Sequence, residues 1–286
     1  MAKPRRNQGG GLSEFRRVTR AQLKYSPAAL RLVWRSELAH QHETGRLADF
    51  LSDCAPRFYR DPGAMAQRLD DGYYLTAFKE ALERLPKARN FQESHLAEII
   101  ACLFAEEVLK LKLLYSKLAQ LSAENSNAYK IDLLLYDPAS DPVRFVFGEV
   151  KSSVKQNLPD QATTKAHSKS CYADIFNSLR KYSEEDVSFD LTSARDRIEK
   201  ISNKREREKI RQALLPYQPK DVTYAAFAVI DQSTYAEADT EILGTRKSTK
   251  AFDVDVVCIE QFNQVVTDTF GKISDLRSAL CSPTMK

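Results

Sequence analysis

Residues 129–151 read YKIDLLLYDPASDPVRFVFGEVK, and the fold of the chain turns on this stretch. Two apolar runs of strand length, Tyr129–Tyr136 and Val143–Lys151, flank a turn built on Asp137-Pro138 and Asp141-Pro142. Inside the runs stand Asp132, Glu149 and Lys151. An unpaired charge buried in a sheet costs several kcal/mol, so such groups persist where they pair with one another or hold a ligand. Side chains alternate along a strand, so Phe145, Phe147, Glu149 and Lys151 share one face, with Glu149 and Lys151 about 6.6 Å apart along it. Asp132 precedes Glu149 by 17 residues, a separation that suits neighbouring strands of a hairpin or meander. The acid of one strand can therefore converge with the acid and base of the next.

Just upstream, Phe91–Leu109 has the periodicity of a helix. Leu96, Ile99, Ile100, Leu103 and Phe104 form one broad apolar face. Glu98 falls on the opposite side beside Ala101, Cys102 and Ala105, where a solvated face would carry further charges. A small-residue face with one carboxylate suggests close packing around a site; a singly exposed Glu is the plainer alternative. His95, near one turn from Glu98, reads as a packed histidine. Lys110–Leu121 contains neither Gly nor Pro, and either prolongs the helix or places a strand over Leu113–Leu121.

Working outward, residues 1–12 are basic and glycine-rich and are expected to be a disordered tail. Residues 13–87 read as a helical N-terminal region. Ser26-Pro27 resembles a cap and first-turn pair opening a helix to about His42; further helices fit Arg46–Cys54 and Tyr74–Leu85, the last stopped by Pro86. No chemistry stands out there. Beyond Lys151 a polar loop runs to Lys169, followed by a helix over Ser170–Lys181 and a mixed-charge helix over Ser193–Leu215. Buried strands fit Tyr224–Ile230 and Asp253–Ile259, with a closing helix over Glu260–Leu280. Helices alternating with strands make residues 88–286 an α/β domain.

Composition narrows the function. The cysteines lack CxxC spacing and the histidines lack an HExxH pattern, which argues against zinc and for reduced thiols in a cytoplasmic protein. No secretory signal is expected, since Met1-Ala-Lys-Pro-Arg-Arg leads into glycines rather than an apolar run, and no run approaches membrane-spanning length. The net charge of +4 is modest but clustered. Met1–Tyr25 holds seven basic residues against Glu14 alone, and Lys155, Lys165 and Lys169 follow Lys151 with only Asp160 opposing them. These three lysines are candidate nucleic-acid contacts.

The acids suit phosphodiester hydrolysis. Mg²⁺ is typically held by one or two carboxylates while keeping water and phosphate in its shell, and Mn²⁺ can take its place. Asp132 and Glu149 are the natural ligands, with the Val150 carbonyl a further oxygen. Glu98 can bind the attacking water or help hold a second ion. Lys151 can orient or deprotonate that water, its pKa lowered by burial and a nearby cation.

Glu98 on a helix, Asp132 on a strand and Glu149-Val150-Lys151 on the next together resemble the PD-(D/E)xK nuclease superfamily. The resemblance implies a restriction-endonuclease-like αβββαβ core, a mixed sheet flanked by helices, and makes residues 113–121 its first strand. Ile131 stands where the motif has Pro, a departure that removes no functional group. More narrowly, His95–Ala101 (HLAEIIA), Lys130–Asp137 (KIDLLLYD) and Phe145–Ser153 (FVFGEVKSS) resemble the HamA family, nuclease subunits of the Hachiman anti-phage defence system. That implies a DNA endonuclease with a partner helicase, HamB, which restrains it until DNA is engaged. A stand-alone restriction or repair nuclease and a catalytically inactive nuclease-fold assembly subunit remain open beside it.

Overall fold

Runs of β-favouring residues separated by helices build one mixed sheet in the computed structural model, which describes residues 15–21, 30–38, 44–59, 74–120, 131–153, 171–178, 188–214, 222–235, 239 and 252–281. The elements are β1 (Phe15–Ala21), β2 (Leu30–Leu38), α1 (Thr44–Cys54), α2 (Tyr74–Arg84), α3 (Arg89–Glu107), β3 (Lys112–Ser116), β4 (Leu133–Asp137) and β5 (Arg144–Ser153). Then come α4 (residues 171–178), α5 (Ser188–Ile198), α6 (Lys204–Leu214), β6 (Val222–Asp231), β7 (Phe252–Ile259) and α7 (Phe262–Cys281). The expected αβββαβ succession is present from α3 to β6. The sheet order is β1-β2-β7-β6-β5-β4-β3. β2, β7, β6 and β5 run parallel, while β1 pairs antiparallel with β2 at one end, and β5, β4 and β3 form an antiparallel meander at the other.

Strand alternation gives the sheet two apolar faces. Leu133, Leu135, Val146, Val150, Phe227 and Val257 pack with α1, α2, α3 and α7 on the first. Leu134, Phe145, Phe147, Ala226, Ala228 and Val256 pack with α4, α5 and α6 on the second. Helix α3 is buried along nearly its whole middle, Leu96 to Ala105, against the sheet, with Phe104 edge-on to Phe227 at 6.4 Å. Position 148 must be small: a Cβ on Gly148 would stand 3.0 Å from the Leu133 Cβ.

Several element limits differ from expectation. Leu30–Leu38 is a strand, not part of a helix from Ser26 to His42; its sequence LRLVWRSEL alternates with period two and pairs in parallel with β7. Together with β1 it extends the five-strand core sheet to seven. Helix α3 ends without a glycine because Lys110 itself takes the left-handed conformation, φ 60°, and Leu111 donates back to the Ala105 carbonyl at 3.0 Å. The charged segment after residue 188 is two helices: the Asn203 side chain accepts from the Glu206 N–H at 3.1 Å and caps α6, which separates it from α5. The tail over residues 1–12 lies outside the described residues.

At the far end of β6, buried Asp231 anchors the last helix. Its Oδ2 accepts from the Phe262 N–H at 2.8 Å, and its Oδ1 from the Ser233 N–H at 3.0 Å. Replacing Asp231 by Ala leaves the buried Phe262 amide without its acceptor and removes the cap on the exposed Ser233 amide, and should cost about 1–3 kcal/mol, read as a lower denaturation midpoint. An unchanged midpoint would show that α7 does not depend on this anchor.

Candidate metal centre

The sheet register assembles the site. Ser116 pairs with Leu133, and Leu133 with Gly148. One step further, Lys117 just past β3, Asp132 just ahead of β4 and Glu149 midway along β5 fall in a single row across the sheet. The row is tied by the Lys117 N–H donating to the Asp132 carbonyl at 3.0 Å. Asp132 lies just ahead of β4 rather than inside it, which corrects the expectation of a strand beginning at Tyr129. With no β4 carbonyl at that level, the Val150 N–H donates to Asp132 Oδ2 instead, at 3.0 Å. The carboxylate thus continues the ladder in the plane of the sheet, where the two faces meet.

Around this acid the charges interlock. Lys117 Nζ donates to Asp132 Oδ1 at 2.9 Å and stands 3.9 Å from Glu98 Oε1. Lys151 Nζ donates to Glu149 Oε1 at 2.5 Å, as their shared parity on β5 predicts. Glu98, brought in by α3 from the first face, is buried, and so are Asp132 and Glu149. All four predicted site residues therefore belong to one cluster, and Lys117 is a fifth member that sequence reasoning missed. Its only local signal was a lysine in a stretch readable as helix or strand.

Burial pushes the Glu98 carboxyl up to about 8, helped by the Asp132 charge and opposed by Lys117. Burial works against the charged form of Lys117, but the carboxylates of Asp132 and Glu98 outweigh it, and its pKa is raised. The same holds for Lys151, where Glu149 and then Asp132 outweigh burial. The lowered pKa expected for Lys151 is thus not found in the metal-free protein, because its nearest neighbour is an anion. His95 is a packed histidine, with Nδ1 2.7 Å from the Tyr59 hydroxyl and its ring against Phe91. Lys155, Lys165 and Lys169 lie outside the described residues.

The donors fit a hard divalent cation. They are carboxylate oxygens, and Glu98 Oε2 is buried without a hydrogen-bond partner among the described residues. No group of three or more His, Cys, Asp or Glu side chains forms a ready-made cage among those residues. Mg²⁺ does not demand one, since it completes its shell with water and substrate oxygens. As arranged, the acids are held by ammonium groups.

The sequence model of HamA matches residues 26–273, most of the chain. The chain belongs to the HamA family. Membership implies a component of the Hachiman defence system, and the matched span contains every member of the cluster from Glu98 to Lys151. No curated protein sequence matches the chain. No helix among the described residues of this HamA protein is long and apolar enough to cross a membrane. The cysteines expected to be reduced include Cys54, Cys102, Cys171 and Cys258, all of which are free thiols.

Glu98 carries a pH dependence whose sign follows from its raised pKa. Between the ordinary carboxyl value of 4.5 and about 8, the folded chain holds a proton that the unfolded chain releases, so metal-free stability falls as pH rises through that window. Glu98→Gln mimics the protonated acid. In EDTA-treated protein it should leave stability unchanged below the window and raise it by roughly 2–4 kcal/mol above it, in paired chemical denaturation series. A difference that does not vary with pH would show that Glu98 is ionised throughout.

Proposed function

We propose that this HamA chain is a Mg²⁺-dependent deoxyribonuclease, the nuclease subunit of a Hachiman complex whose partner is a HamB-like helicase. The observation that carries this reading is the row of Asp132, where β4 begins, and Glu149 on β5, with Glu98 entering from α3 and Lys151 on Glu149. Three acids and a lysine from three elements supply oxygen donors and a cation, the groups that metal-assisted phosphodiester hydrolysis uses.

When bound, Mg²⁺ or Mn²⁺ supplies Lewis-acid stabilisation of the phosphate and a more acidic water. Asp132 and Glu149 hold the ion, and the Val150 N–H keeps the Asp132 carboxylate aimed. Glu98 orients water at the opposite edge of the cluster or helps hold a second ion. Lys151, kept cationic by Glu149, steadies the charge that builds on the phosphate oxygens and positions the attacking water. Lys155, Lys165 and Lys169, with the basic N-terminal run, supply the clustered positive charge that binds a DNA backbone. The DNA preference and the helicase partner rest on family membership.

Cleavage of plasmid and linear DNA, with Mg²⁺ and with or without the candidate helicase, tests the assignment. Asp132→Ala should abolish cutting, and Lys151→Ala should slow it by roughly 10²–10⁴-fold, with circular dichroism matching the wild type. If both variants cut at the wild-type rate, these residues are not the site.

A further inference from the structure

Lys117 answers to no motif, yet it makes more contacts with the acids than Lys151 does. It closes β3, where its N–H binds the Asp132 carbonyl, and its ammonium returns to Asp132 Oδ1 at 2.9 Å. The same ammonium lies 3.9 Å from Glu98 Oε1, so one cation spans the acid from the sheet and the acid from the helix. Both carboxylate oxygens of Asp132 are therefore engaged, Oδ2 by the Val150 N–H and Oδ1 by Lys117. A divalent ion using Asp132 meets an ammonium already in place, among buried acids where water screens poorly and like charges repel strongly. Lys151 is differently placed: it holds Glu149, so releasing Lys117 frees Asp132 without disturbing the second pair. The Lys117 side chain is one-fifth exposed, which leaves its ammonium a path toward water.

We infer that Lys117 is the resident counter-ion of the metal centre: it holds Asp132 and Glu98 together in the metal-free protein and must give up Asp132 Oδ1 when a divalent ion binds. This rests on reading the cluster as a metal centre. Lys117 is then a positioning residue with opposed effects. It stabilises the metal-free fold, because without it the buried Asp132 carboxylate loses its cation and its tie to Glu98. It also weakens metal affinity, because binding must break its ion pair with Asp132.

Titration calorimetry of Mn²⁺ into the full-length, metal-free chain tests this. Lys117→Met and Lys117→Gln should bind Mn²⁺ about tenfold more tightly than wild type or better, while melting at lower temperature in EDTA. Lys117→Arg, which keeps the charge, should bind as wild type does, and Asp132→Asn should lose binding. Lys117→Gln retains a donor toward Asp132 and carries the test if the Met variant does not fold. Structural damage would weaken binding, so tightening separates the two explanations. Wild-type or weaker affinity in both neutral variants, with binding still lost in Asp132→Asn, overturns the role of Lys117 and leaves the metal centre standing. Mn²⁺ binding that Asp132→Asn does not alter overturns both.

Discussion

The Asp132 carboxylate bridges backbone and charge, and the candidate site is assembled on that bridge. One oxygen takes the N–H of Val150, which the start of β4 leaves without a strand partner, and the other takes the ammonium of Lys117. The first bond fixes the acid to β5 at the level of Glu149; the second draws Glu98 in from α3 through a shared cation. Burying three carboxylates near one another is unfavourable, and here two ammonium groups offset most of that cost. Burial raises the third acid, Glu98, until its proton is held near neutral pH. The result is a nearly neutral, interlocked cluster at the edge of two apolar cores.

The architecture explains why the charges are tolerated where they are. Helix α3 is buried along most of its length because α7 and the sheet enclose it, so the small residues around Glu98 serve close packing. Gly148 lets β4 approach β5 closely one residue before Glu149, which brings the Asp132 loop within reach of the Val150 amide. At the other edge of the meander Glu206 on α6 accepts from Lys112 at 2.6 Å and from the Tyr136 hydroxyl at 3.0 Å, holding β3 and β4 in place. Lys117 follows directly on the same edge strand.

Much of this was legible in the chain itself. Tyr224–Ile230 is an unbroken apolar run, Asp253–Ile259 is apolar apart from Asp253 and Asp255, and Pro142 marks the start of β5, so β5, β6 and β7 could be placed within one to two residues. β4, by contrast, starts four residues later than its apolar run suggests. Parity alone paired Glu149 with Lys151. What escaped was set by contacts distant in sequence or by unmarked backbone. Leu30–Leu38 becomes a strand through β7, more than 200 residues away, and its Ser26-Pro27 approach resembles a helix start. The end of α3 at Lys110 uses a left-handed lysine where a glycine would have announced it. Lys117 could not be singled out because its role exists only once β3 and β4 pair.

The most direct measurement is anomalous diffraction from crystals of the full chain soaked in Mn²⁺. A metal centre on these acids predicts an anomalous peak within about 2.0–2.3 Å of carboxylate oxygens of both Asp132 and Glu149, with the Lys117 ammonium withdrawn from Asp132 Oδ1. No peak at those acids under saturating Mn²⁺, with Lys117 still paired to Asp132, would contradict it.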